Sequence, residues 1–106
     1  MTEAAIRESV RAYLKKRFRS GWWVSFPGTA MMSGVPDVIG TAPELGGKLI
    51  GIELKTKTGR TSKLQEWNIN RIRTAGGIAG VVRNPSDLTA MLKEESDARR
   101  GAAEGT

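Results

Sequence analysis

Two short stretches carry side chains able to do hydrolytic chemistry: Gly34-Val35-Pro36-Asp37 and, further along, Glu53-Leu54-Lys55. Asp37 and Glu53 are carboxylates and Lys55 is an ammonium, each at or near a short apolar run that reads as a β-strand. Such a set can hold a divalent cation against a phosphodiester and activate a water beside it. The chain has no histidine and no cysteine. Their absence removes the usual general base, the usual nitrogen ligand, thiolate zinc sites and any disulfide framework. What remains is oxygen chemistry, which favours Mg²⁺ or Mn²⁺ on carboxylates.

Each stretch alone has an ordinary explanation. Glu53 and Lys55 could be a solvated face of a strand, and an Asp after proline is a common turn former. The pair together is more informative. On a strand running from Lys48 to Lys55, Leu49, Gly51, Glu53 and Lys55 share one face and Ile50, Ile52 and Leu54 the other. Glu53 and Lys55 are then neighbours, about 6–7 Å apart along the strand. Gly51 is expected to leave open space beside them.

The elements that must position these groups follow from periodicity and punctuation. Thr2 caps a helix expected to reach about Arg19, with Ile6, Val10, Tyr13 and Leu14 on one stripe. Glu3 falls inside that stripe and Glu8 opposite it. Glu3 either joins the carboxylates or stays near solvent in the first turn, favoured by the helix dipole. Trp22 to Phe26 reads as a first strand, Val35 to Ile39 as a second broken by Gly40, and Lys48 to Lys55 as a third. A loop with Met31 and Met32 lies between the first two, and Pro43 to Gly47 reads as a turn. Ser62 caps a second helix to about Thr74, Ile78 to Arg83 forms a fourth strand, and Asn84-Pro85-Ser86 opens a short helix to about Glu94. Ser96 to Thr106 is polar without apolar period, and reads as a disordered tail after a single domain over residues 1–95. The order α-β-β-β-α-β-α predicts an α/β fold with a mixed sheet and helices on both faces. Trp22, Trp23 and Trp67 read as core or dimer contacts rather than base-stacking platforms.

The charge points to a polyanionic partner. The chain of 106 residues carries 17 Lys+Arg against 11 Asp+Glu, a net +6. A basic small domain suits nucleic acid. Arg7, Arg11 and Lys15 on the first helix, with Lys57, Arg60 and Lys63 in the loop after the third strand, are the expected phosphate contacts. No segment resembles a signal peptide, and no apolar run approaches the roughly 20 residues that span a bilayer. A soluble, intracellular protein is expected, with no membrane partner.

Taken together, Gly34-Val35-Pro36-Asp37, Gly51-Ile52-Glu53-Leu54-Lys55-Thr56, Gln65, Gly76-Gly77 and Val81-Val82-Arg83 resemble the VRR-NUC family of the PD-(D/E)XK nuclease superfamily. The resemblance spans roughly residues 3 to 90. It implies a restriction-endonuclease-like αβββαβ core and a Mg²⁺- or Mn²⁺-dependent DNA endonuclease. By that resemblance Asp37, Glu53 and the backbone carbonyl of Leu54 hold metal, and Lys55 handles the attacking water. Glu3 matches the family's helix-borne acid and Gln65 its glutamine. Gln65 has a second explanation, because Ser62-x-x-Gln65 is also a capping box. One side chain in one rotamer is not expected to fill both roles. Small members of the family resemble dimeric Holliday-junction resolvases, so branched DNA, a homodimer and a bacterial or phage-infected cytoplasm are the implied setting. A non-catalytic nucleic-acid binder with structural acids, and a scaffold whose basic helix meets a protein, are the competing readings.

Overall fold

The computed structural model describes residues 2–26 and 33–92. Helix α1 spans Glu3–Arg17, with Thr2 Oγ1 accepting from the Ala5 N–H as its cap. Strand β1 is Trp22–Ser25, β2 is Val38–Thr41 and β3 is Ile50–Leu54. A short 3-10 turn at Pro43–Leu45 joins β2 to β3. Helix α2 spans Lys63–Thr74, β4 spans Ile78–Val82, and residues 85–92 form α3. The expected loop at Met31 and Met32, the helix end near Glu94 and the tail from Ser96 lie outside the described residues.

The four strands lie in the order β1-β2-β3-β4, antiparallel except for the parallel pair β3 and β4. This is the expected mixed sheet between helices. Ile6, Val10 and Leu14 of α1 and Leu88 and Leu92 of α3 form one buried cluster with Ile50, Ile52 and Leu54. A side chain at Gly51 would instead meet Ile72 of α2, so α2 covers the opposite face. β3 is buried along its whole length, as a central strand with helices on both sides must be.

Several expectations change, beginning with α1, which ends at Arg17 rather than Arg19, and β3, which is confined to Ile50–Leu54. The second strand starts at Val38 rather than Val35, so Asp37 sits at its entry and not within it. Gly40 does not break that strand. It is paired with Trp23 and Ile50, and a Cβ there would strike the Trp22 carbonyl and the Trp23 ring. Gly51 leaves no open space, because its missing side chain is replaced by Ile72 Cδ1 and Pro36 Cγ, 2.9 and 3.2 Å from where a Cβ would lie. The tryptophans also divide: Trp23 packs against the core, whereas Trp22 and Trp67 are 61% and 58% exposed.

Candidate active site

The site forms where β2 begins and β3 ends. Gly34 takes a left-handed turn (φ 81°) against Leu64 of α2, where any side chain would collide, and this brings Val35-Pro36-Asp37 toward β3. Asp37 is then fixed twice: its carbonyl accepts from the Phe26 N–H at 2.8 Å and its Oδ2 from the Leu54 N–H at 2.8 Å. The second bond depends on register. Val38 opposes Ile52, so the residue next in line against Leu54 is Pro36. The Lys55 N–H bonds toward β4, so both backbone groups of Leu54 point toward β2. Pro36 has no N–H to offer the Leu54 carbonyl, so the register leaves that oxygen without a ladder partner on β2.

Glu53 is 2% exposed, the one buried charged side chain among the described residues. Its Oε1 accepts from Gln65 Nε2 at 2.9 Å and lies 4.0 Å from Lys55 Nζ. Its Oε2 is buried and receives no donor. Burial, then the charge of Asp37, then the bond a protonated Glu53 makes to Asp37 together push its pKa from 4.5 up to about 8, against the opposing pull of Lys55 and with a small push from Glu3. Glu53 therefore favours its protonated form near neutral pH when no cation is bound.

Gln65 resolves the conflict between cap and site by using both ends of its amide. Its Oε1 accepts from the Ser62 N–H at 2.8 Å, and Ser62 Oγ accepts from the Gln65 N–H at 3.1 Å, completing the capping box. Its Nε2 is left for Glu53. The expectation that one rotamer could not serve both is corrected: a carboxamide has a separate donor and acceptor, and the cap needs only the acceptor.

The other candidate residues are distributed unevenly. Asp37, Glu53, Lys55, Arg60 and Gln65 line one cleft of about 420 Å³. Arg7 turns inward, its Nη2 3.8 Å from Asp37 Oδ1 and 3.8 Å from Glu3 Oε1. The structure thus groups Arg7 with the carboxylates rather than with the outer phosphate contacts. Glu3 reaches Asp37 only through Arg7, and no group of three acids converges among the described residues. Lys57 and Lys63 are exposed beyond the cleft, and Arg11 and Lys15 line a separate groove. Arg83, which the sequence offered only within the Val81-Val82-Arg83 motif and with no role, is a further contributor. Its Nη1 donates to the carbonyls of Thr56 and Gly59, both at 2.6 Å, and so pins the loop that leads to Arg60. The available signal was a cation ending the apolar run of β4.

Together these groups can bind a divalent cation. Two adjoining carboxylates, one with an unsatisfied buried oxygen, and a carbonyl without a ladder partner on β2 are hard donors suited to Mg²⁺ or Mn²⁺. A cation there would displace the proton on Glu53 and remove the repulsion between Asp37 and Glu53.

No protein-family model matches the sequence, and no curated protein does so either. A solved structure described as a VRR_NUC domain shares the fold, with a TM-score of 0.59 and 22% identity over 88% of this chain and 97% of that one. The fold expected from the motifs is therefore borne out.

Proposed function

We propose that this chain is a Mg²⁺- or Mn²⁺-dependent DNA endonuclease of the VRR-NUC family. The shared fold and the placement of the motif residues on it support the family. The observation that carries the activity is the pairing of half-buried Asp37 with buried Glu53, whose second oxygen is unsatisfied, with Lys55 beside it.

Asp37, Glu53 and the Leu54 carbonyl would hold the ion, which supplies a polarised phosphate oxygen and a bound water of lowered pKa. Gln65 holds Glu53 in one rotamer, and the Leu54 N–H holds Asp37. Lys55 is placed to orient the attacking water and to offset the charge that gathers on phosphorus. Arg60 lines the same cleft and can receive the flanking phosphates. As the resemblance to the PD-(D/E)XK superfamily implies, in-line attack would break the bond to the 3′ oxygen and leave a 5′-phosphate and a 3′-hydroxyl. Branched DNA such as a four-way junction, cut by a homodimer, belongs to this reading, since a two-fold substrate suits a two-fold protein.

The test is cleavage of end-labelled four-way junction, flap and linear duplex, each with Mg²⁺, Mn²⁺ or EDTA. Cleavage requiring the ion and lost in Asp37→Asn is expected. Full cleavage in EDTA, or by Asp37→Asn, would overturn the proposal.

A further inference from the structure

Between Leu54 and Ile69 the chain buries no residue completely. The segment Thr56-Lys57-Thr58-Gly59-Arg60-Thr61 is polar apart from its glycine, yet Arg60, Thr61 and Ser62 form one wall of the carboxylate cleft. Apolar burial does not place this wall, so hydrogen bonds must. At its far end the wall is tied to α2: Thr61 Oγ1 donates to Glu66 Oε1 at 2.9 Å, and Ser62 caps the helix. At its near end the tie is Arg83.

The β3–β4 ladder ends where the Lys55 N–H donates to the Val82 carbonyl at 3.1 Å. One residue on, Arg83 turns its own N–H to Asp87 Oδ2 at 2.9 Å, so its backbone is tied to the start of α3. Its side chain crosses to the turn after β3, which the Gly59 N–H closes on the Thr56 carbonyl at 3.2 Å. One nitrogen, Nη1, donates to the carbonyls at both ends of that turn, Thr56 and Gly59, each at 2.6 Å. A terminal guanidinium nitrogen carries two coplanar N–H groups, one for each carbonyl. The turn in turn rests on Lys55: a Cβ at Gly59 would lie 3.5 Å from Lys55 Cδ and 3.1 Å from Thr56 Oγ1. The Lys55 side chain is 18% exposed, with Nζ 4.0 Å from Glu53 Oε1. A lysine stem in open solvent samples many rotamers, and a turn packed on it restricts them.

We propose that Arg83 is a positioning residue for the reaction: by clamping the Thr56–Gly59 turn against the Lys55 stem, it holds the Lys55 ammonium beside Glu53. This rests on the nuclease reading of the cleft. Arg83 does not line the cleft, so it acts through Lys55 rather than on the phosphate. A clamp that served stability alone would leave the rate of the folded protein untouched.

The experiment is a double-mutant cycle on cleavage of end-labelled DNA with Mg²⁺, with kcat and KM measured separately and a thermal melt for every variant. Arg83→Met removes the donors and keeps an unbranched side chain, and kcat should fall about 10- to 100-fold. In a Lys55→Ala background the same substitution should change kcat less than about twofold, since the group it positions is gone. Arg83→Lys keeps a charge and N–H donors without the planar fork, and should recover part of the loss. It carries the same cycle should Arg83→Met fail to fold. Asn84→Ala is the stability control. It removes the Oδ1 that accepts from the Asp87 N–H at 3.0 Å, so it should lower the melting temperature with kcat retained. Native kcat in Arg83→Met, or an equal drop in both backgrounds, would overturn the proposal. Labelling of Lys55 by an amine-reactive ester, read by mass spectrometry, tests the clamp without turnover. It should quicken several-fold in Arg83→Met and not in Asn84→Ala, and an unchanged rate would also overturn the proposal. Native protein that cuts no DNA with Mg²⁺ or Mn²⁺ overturns the nuclease reading, while the labelling still decides whether Arg83 holds Lys55.

Discussion

Two helices begin beside the carboxylates, and they begin differently. Both are capped by a hydroxyl, Thr2 on α1 and Ser62 on α2, and both place an acid in the first turn. At α2 the third helical residue is Gln65, whose amide closes the cap and holds Glu53 in the same conformation. At α1 the third helical residue is Ala5, so no reciprocal bond forms. Glu3 is left 48% exposed, tied to the site only by long ion pairs through Arg7. One helix start is built into the site, and the other only adjoins it. Helical phase marks Glu3 as facing inward, and the capping-box spacing marks Gln65 only as a cap, so neither pattern ranks the two residues. The hydrogen bonds do.

The strongest way to break that contrast is at the groups both helices serve. Asp37→Asn and Glu53→Gln should each reduce cleavage to background, and Lys55→Ala should cost about 10²- to 10⁴-fold in rate. Both isosteric amides keep the volume of the buried site, so thermal melts should show folded protein. Gel assays of nicking with Mg²⁺ measure the first effect and calorimetry the second.

Gln65 sharpens the contrast through two substitutions that separate its roles. Gln65→Ala removes cap and tether together, with about 1 kcal/mol lost in stability and about 10- to 100-fold in metal affinity or rate. Gln65→Glu retains a capping-box residue but sets a carboxylate against Glu53. It should melt near the native temperature and still cleave poorly. Native cleavage by Gln65→Glu would show that the cap is all Gln65 provides.

The proton held by Glu53 gives a smaller, graded effect. Its pKa is raised on folding from 4.5 to about 8, so between those values the folded chain binds more protons than the unfolded one. Stability of the metal-free protein should therefore fall as pH rises through that window and level off above it. Glu53→Gln should flatten the slope, and saturating Mg²⁺ should stabilise the native protein most at its upper end. Chemical denaturation at a series of pH values measures all three.

Much of this was legible in the sequence. Caps, glycine stops and apolar spacing placed α1, α2 and β4 within about two residues. Asp37, Glu53, Lys55 and Gln65 do share one cleft. What could not be read depends on pairing between strands. The entry of β2 shifts from Val35 to Val38 because Asp37 bonds to Leu54 across the sheet, which no local pattern shows. The filling of Gly51 by Pro36 and Ile72, and the reach of Arg83 to Thr56 and Gly59, likewise join residues far apart in the chain.

The smallest expected effect tests the looser helix start directly. Glu3→Gln removes an exposed ion pair with Arg7, with a stability change of no more than about 0.5 kcal/mol. It also removes a remote negative charge, so Glu53 should deprotonate slightly more easily. Arg7, released from Glu3, should attend Asp37 alone. Cleavage should then fall far less than in Gln65→Ala, and the pH profile should move slightly toward acid. A loss equal to that of Glu53→Gln would instead make Glu3 a partner of the metal, requiring α1 to draw its first turn inward when the ion binds. The two helix starts would then be equivalent in the working enzyme and different only before it is loaded.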